Sequence, residues 1–307
     1  MNVIPKAQQD AVKNFSENVA ENTPIAGRSL WQDAQRRFMH NKAAMVSLFV
    51  LACIALFVIF APFFSEYSYD HTDWGMMSHP PDRESGHFLG TDSNGRDIFV
   101  RIAVGGRISL LVGISAAFVA VIMGTFYGSV SGYLGGKVDS LMMRILEILN
   151  SFPFMFFVIL LVTFFGKNLF LIFLAIGMVS WLDMARIVRG QTLSLKNREF
   201  IEAARVSGVS MPGIIFRHIV PNVLGIVVVY ASLLVPSMIL FESFLSYLGL
   251  GVQEPMSSWG SLLADGANSM EVAPWLLIFP ALFLICTLFC FNFIGDGLRD
   301  ALDPKDR

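Results

Sequence analysis

Residues able to do chemistry are few in this chain, and they are scattered. The nearest approach to a phosphate-binding loop is Ser131-Gly132-Tyr133-Leu134-Gly135-Gly136-Lys137-Val138. It lacks the first glycine that closes an anion nest and the hydroxyl residue that holds magnesium, so it predicts no nucleotide site. His71, His79 and His87 are spread through one polar stretch, and His40 and His218 lie far from them and from each other. Cys53, Cys286 and Cys290 all sit in apolar runs without CxxC spacing, which indicates neither a zinc site nor a disulfide framework. Cys286 and Cys290, at i,i+4, read as buried thiols acting as small hydrophobes. Two stretches do carry a local polar pattern. In Glu202-Ala203-Ala204, followed by Gly208 and later Pro221, a carboxylate able to take a cation stands beside two alanines that permit close packing. Gly208 then permits a tight turn, so the segment reads as helix, break, helix: a rigid peg on two arms. In Gly90-Thr91-Asp92 and Gly95-Arg96-Asp97, the pairs Asp92–Arg96 and Asp97–Arg101 are opposite charges at i,i+4 that can order a loop.

The elements that position these residues follow from composition. The chain has 307 residues, 54% hydrophobic and only 15% charged, with 28 Phe against 6 Tyr. Ordinary globular chains run at about 25% charged, so a soluble enzyme, a disordered scaffold and a disulfide-rich domain are set aside. A net charge of −2 gives no basic field to hold nucleic acid. Charge-free runs predict six transmembrane helices near 43–65, 106–131, 148–166, 168–188, 218–240 and 273–294. The fourth needs Asp183 and Arg186 at the interface, where they can pair at i,i+3. Ionisable residues are nearly absent from the six cores. An even count puts both termini on one side. The termini and the loops on their side carry 17 of the 22 Lys and Arg and the other side carries 5, so both termini are expected in the cytosol. Residues 1–42 are read as a cytosolic tail without a signal peptide. They end in a short helix opened by a Ser29/Gln32 capping box and lying on the inner membrane face. Residues 43–307 then form the transmembrane domain, with an outer loop over 66–105, a cytosolic loop over 189–217 and a second outer loop over 241–272. Gly124, Gly128, Gly132 and Gly136, four apart, predict a close helix–helix approach.

The cytosolic peg resembles the EAA loop of ABC importer permeases: Glu202-Ala203-Ala204, three residues, Gly208, then twelve residues to Pro221. His218 stands where isoleucine is usual and Val220 where leucine is usual, both ordinary in the peptide branch. The run His87-Phe88-Leu89-Gly90-Thr91-Asp92-Ser93-Asn94-Gly95-Arg96-Asp97, with Arg101, Gly106-Arg107 and Ser109, is similar to the segment before span two in C-type dipeptide and oligopeptide permeases. Leu245 to Gly251, Glu254-Pro255 and Ser258-Trp259-Gly260 resemble the last outer loop of that family, and Asn292-Phe293, Gly295-Asp296 and Leu298 to Pro304 its C-terminal tail. The resemblance covers 29–307.

It implies an all-α integral membrane protein with the type I ABC importer permease fold, serving as a transport subunit and not as an enzyme. It further implies a homologous B-type permease, two ABC ATPase subunits and an extracytoplasmic peptide-binding protein as partners, with membrane lipid around them and a peptide as substrate. ATP and magnesium would be used by the ATPases, and no cofactor would be bound by this chain. Glu202, Ala203, Ala204, Gly208 and Pro221 would form the ATPase-coupling loop. Gly90, Thr91, Asp92, Gly95, Arg96 and Asp97 would form an outer motif, either docking a partner or merely ordering its own loop. The same architecture importing dipeptides, nickel or another small cargo stays open, as does an ion-coupled secondary carrier, although the scarcity of ionisable residues in the spans speaks against the carrier.

Overall fold

A computed structural model describes residues 30–167 and 169–302. Their regular structure is helical, apart from one isolated antiparallel bridge between Thr91 and Asp97. Helix α1 (Leu30–His40) is separated from α2 (Lys42–Phe64) by Asn41, whose side chain accepts from the Ala44 N–H at 3.2 Å and caps α2. The Ser29 end of the expected capping box lies outside the described residues. Pro62 removes the donor that the Val58 carbonyl would otherwise meet. Arg107 repairs the gap, its Nε donating to Val58 O at 2.5 Å.

Helix α3 (Ile98–Leu134) begins well before the expected 106, so the outer loop is shorter than 66–105. Asp97 decides this start, because its carboxylate accepts from the Val100 N–H at 2.9 Å. The next segment departs most from expectation. In place of a loop to 147 and a straight span over 148–166, there is an amphipathic helix α4 (Gly136–Asn150) and a 12-residue helix α5 (Phe154–Phe165). The two meet at 75°. Pro153 disfavours helix at the residue before it, and α5 alone spans only about 18 Å of a bilayer core of about 30 Å. Helix α6 (Leu169–Leu195) covers the expected fourth span from 169 to 188, residue 168 lying outside the described residues, with Arg186 paired to Asp183 at 2.8 Å.

The stretch after α6 holds α7 (Glu199–Val206) and α8 (Met211–Ile214). A π-helical turn, Ile215–Ile219, leads from α8 into α9 (Val220–Tyr247). Pro221 cannot donate to the carbonyl four residues back, and its ring crowds that carbonyl, so the ladder widens by one residue there. The second outer loop contains α10 (Trp259–Asn268), and α11 (Trp275–Leu302) closes the described chain. Among the described residues, Lys42–Phe64, Ile98–Leu134, Met211–Tyr247 and Trp275–Leu302 are long and apolar enough to cross a bilayer, and the bent α4–α5 pair is a fifth if it crosses as one span.

Helix α3 is the centre of the bundle, packed on α6, α9 and α2. Its contact with α6 is the glycine stripe. A Cβ at Gly124 would lie 2.5 Å from Met184 Cβ, one at Gly132 would lie 2.7 Å from Thr192 Cβ, and one at Gly128 would collide with the Ala185 carbonyl. Gly136 does not belong to the stripe; with φ +55° and open space around it, it opens α4 instead. Below this contact Arg189 of α6 grips both oxygens of Asp139 at 2.5 Å, and Ser131 donates to the same carboxylate at 2.5 Å. Of the two cysteines expected to be buried on α11, Cys290 is and Cys286 is exposed. Four residues advance a helix by about 40° beyond a full turn, enough to carry Cys286 past the edge of the contact.

Candidate functional site

All six residues of the expected outer motif are buried. Gly90 has φ +80°, and a Cβ there would lie 2.7 Å from His79 O and 2.8 Å from Trp275 Nε1. Thr91 accepts from the His79 N–H at 2.9 Å and donates to Met76 O, while Trp275 Nε1 donates to Thr91 O at 3.3 Å. Gly95, at φ +75°, lies against the Asp73 backbone, where no side chain fits. Asp92 receives the N–H groups of Asn94 (2.8 Å) and Arg96 (2.9 Å) on one oxygen and Arg96 Nε (2.7 Å) on the other. The expected Asp92–Arg96 pair is therefore present.

The expected Asp97–Arg101 pair is not. Asp97 spends one oxygen capping α3 and the other on His87 Nδ1 at 2.9 Å, under the ring of Tyr67 stacked 4.2 Å away. Burial pushes the Asp97 carboxyl up, against the opposing hydrogen bonds from His87 and Val100. Arg101, 1% exposed, turns instead to Asp92 at 3.4 Å and to Asp265 of α10 at 3.8 Å. Arg96 reaches across to Glu254 at 2.8 Å. That hydrogen bond holds the Glu254 carboxyl below its usual range. The outer motif is thus a cross-link that fastens both outer loops to α3, α10 and α11.

One residue in this region gave no sequence signal beyond ending a charge-free run. Glu242 of α9 is fully buried. It accepts from Ser109 of α3 at 2.8 Å and from Ser246 at 2.6 Å, and Ser109 in turn accepts from the Trp259 N–H at 3.2 Å where α10 begins. Glu242 and Arg101 fall outside the expected cores at 218–240 and 106–131, in the stretches by which α9 and α3 run beyond them. Serine hydroxyls receive Glu242, whereas Arg101 turns to Asp92 and Asp265 although Asp97 stands four residues before it.

On the other face, α7 ends as the glycine predicted. The Val209 N–H meets Ala204 O at 3.1 Å and the Gly208 N–H meets Arg205 O at 3.1 Å, a Schellman turn with Gly208 at φ +77°. Ile201, Ala204 and Ile214 are buried and hold the turn to the bundle, while Arg205 lies over the Tyr133 ring at 5.7 Å. Glu199, Glu202, Ala203 and Val206 form the exposed face, Val206 at 89%. Glu202, Ala203 and Gly208 are brought together at one protruding corner. Ala204 faces inward, and Pro221 stands at the start of α9, where it shapes the following arm. A cavity of about 570 Å³ opens between α6, α9 and α11, with Gln191, Asn222, Tyr230 and Arg299 among its lining.

Residues 110–307 match the family model described as the binding-protein-dependent transport system inner membrane component, and residues 29–81 match the N-terminal TM domain of oligopeptide transport permease C. The chain belongs to the binding-protein-dependent transport permeases. Among its relatives, the oligopeptide transport system permease protein OppC of Escherichia coli (strain K12) is 75% identical over 99% of this chain and 100% of its own length. The protein of the same name from Haemophilus influenzae is 68% identical over 99% of this chain and 97% of its own. The dipeptide transport system permease protein DppC of Bacillus subtilis is 44% identical over 91% and 87%. This permease is an inner-membrane subunit of an ABC importer and not an enzyme, and in its family ATP is the business of partner ATPases. The family resemblance carried by residues 202–221 and 87–109 is borne out.

Proposed function

We propose that this permease subunit takes up oligopeptides across the cytoplasmic membrane as part of an ATP-driven importer. The cargo is inferred from the oligopeptide relatives, which align along nearly the whole chain. In this reading the translocation path is shared with a homologous B-type permease, two ABC ATPases using ATP and magnesium sit beneath, and an extracytoplasmic binding protein delivers the peptide. The cavity between α6, α9 and α11 is our candidate for this chain's share of the path, its amide, phenol and guanidinium groups being suited to a peptide backbone. In this reading α6 and the bent α4–α5 pair join the other four helices as six crossings, an even number that would leave both termini on one side, and the 17-to-5 division of basic residues supports the cytosol as that side. The corner formed by α7 and Gly208 then falls on the cytosolic side with the ATPases.

One observation carries the coupling role: an exposed, rigidly backed corner joins, through α8 and the π turn, a helical stretch that runs from Met211 to Tyr247. Closure of the ATPase dimer against the Glu202 face would move that lever as one piece and shift the bundle between inward- and outward-open states. Glu202→Lys reverses a charge at the contact, and Gly208→Val forces a β-branched residue to φ +77°. Both variants should insert normally yet lose peptide uptake in cells and peptide-stimulated ATP hydrolysis in the reconstituted complex together. Wild-type values in both assays would remove the coupling role from this corner.

A further inference from the structure

Helix α1 is tied to the apolar helix α2 by Asn41 alone, so it stands one residue from the start of that span. The extended backbone of Asn41, φ −77° and ψ 101°, breaks the helix there. At 100° per residue, Ala34 and Phe38 share one edge of α1. That edge faces the bundle: Ala34 is buried, and the Phe38 ring lies beside Gly297 of α11. Next around the helix come Trp31, Gln35 and Met39, with Trp31 54% and Met39 58% exposed. Beyond them stand Arg36 and His40, also exposed, with His40 Nδ1–H donating to Arg36 O at 2.7 Å and so holding the ring beside the arginine. An exposed apolar edge flanked by a basic one is the arrangement of a helix lying in the membrane interface. Lys42 adds a second observation. It stands exposed in the first turn of α2, where no acidic residue accompanies it and a cation opposes the helix dipole, a cost that an anionic surface offsets.

We propose that α1 is an acidic-phospholipid anchor. Arg36, His40 and Lys42 hold anionic headgroups, Trp31 and Met39 enter the acyl boundary, and Phe38 transmits the position to the cytosolic end of α11. The inference rests on the reading of α2 as a membrane span, and its test does not depend on transport. A nitroxide at Gln35, in a chain whose Cys53, Cys286 and Cys290 are replaced, is measured in the full complex in nanodiscs of phosphatidylcholine alone or with phosphatidylglycerol. Access to oxygen against access to an aqueous nickel chelate gives its depth, with a label at exposed Glu84 as the water reference.

The label should lie in the lipid interface and go deeper as phosphatidylglycerol is added. Arg36→Gln with Lys42→Gln should weaken the preference for anionic lipid about fivefold per charge and abolish the dependence on phosphatidylglycerol. A label as accessible to nickel as that at Glu84 overturns the proposal. So does a depth indifferent to phosphatidylglycerol, and so does a label buried only when the ATPases are present, which would make α1 a protein contact.

Discussion

Adding a single methyl at Gly128 is the sharpest probe of how this bundle is held. Lipid offers no hydrophobic drive between helices, so α3 and α6 are joined by dispersion across a close backbone approach. A Cβ at Gly128 would collide with the Ala185 carbonyl and lie 2.9 Å from both Arg189 N and Val188 Cβ. Two of these neighbours are backbone atoms and cannot rotate away, so α6 must retreat by roughly 1 Å, which forfeits a quarter to a half of each dispersion well along the contact. Overpacking of this kind costs about 1–3 kcal/mol, from which the helix propensity gained on replacing glycine returns up to about 1 kcal/mol. Gly128→Ala should therefore destabilise modestly and Gly128→Leu by the upper part of that range or more. Gly190→Ala, exposed on α6 with nothing within 4 Å of the new methyl, should be neutral or slightly stabilising. Thermal unfolding of the purified complex, followed by tryptophan fluorescence, should place Gly128→Leu roughly 2–6 °C below the native chain. A Gly128→Leu variant melting with the native chain, or Gly190→Ala melting below Gly128→Ala, would refute the reasoning and turn the stripe toward lipid.

Glu242→Ala leaves the Ser109 and Ser246 hydroxyls without their acceptor and should cost about 1–3 kcal/mol, while Glu242→Gln, which keeps a carbonyl oxygen, should recover most of the loss in the same melt. If Gln behaves like Ala, it is charge that fastens α10 to α9. The Arg96–Glu254 tie should depend on pH in one direction. Because the folded carboxyl sits below its ordinary 4.5, the contribution is complete above that value and fades as pH falls through the lowered one; the protection factors of residues 250–258, that is exchange relative to the intrinsic rate at each pH, should stay constant down to pH 4.5 and fall only below it. Cysteines placed at exposed Ser93 and Val272 should react with an impermeant thiol reagent from outside intact cells, and one at Lys305 only after lysis. Labelling of position 305 in intact cells would reverse the orientation.

The sequence alone determined what depends on composition, period and backbone chemistry. Charge-free runs of span length fix a membrane protein because an apolar helix has no other solvent to enter. The turn at Gly208 was readable because φ +77° suits glycine and the pairing that closes it is local. Gly124, Gly128 and Gly132 marked a close approach for the same reason, since a missing side chain is visible without knowing what fills its place. Only the tertiary structure decided which partner each charge takes. Arg101 stands four residues from Asp97, yet it reaches Asp92 and Asp265, because Asp97 is already engaged by His87 and the first turn of α3. Glu242 did no more in the sequence than end a hydrophobic run, but it is buried and bonded to hydroxyls from α3 and from its own next turn. The bend between α4 and α5 was likewise hidden, since a short apolar helix reads the same whether it continues a span straight or meets its neighbour at 75°. Local chemistry sets where helices start, stop and turn; which side chains meet across them depends on distances that no spacing along the chain encodes.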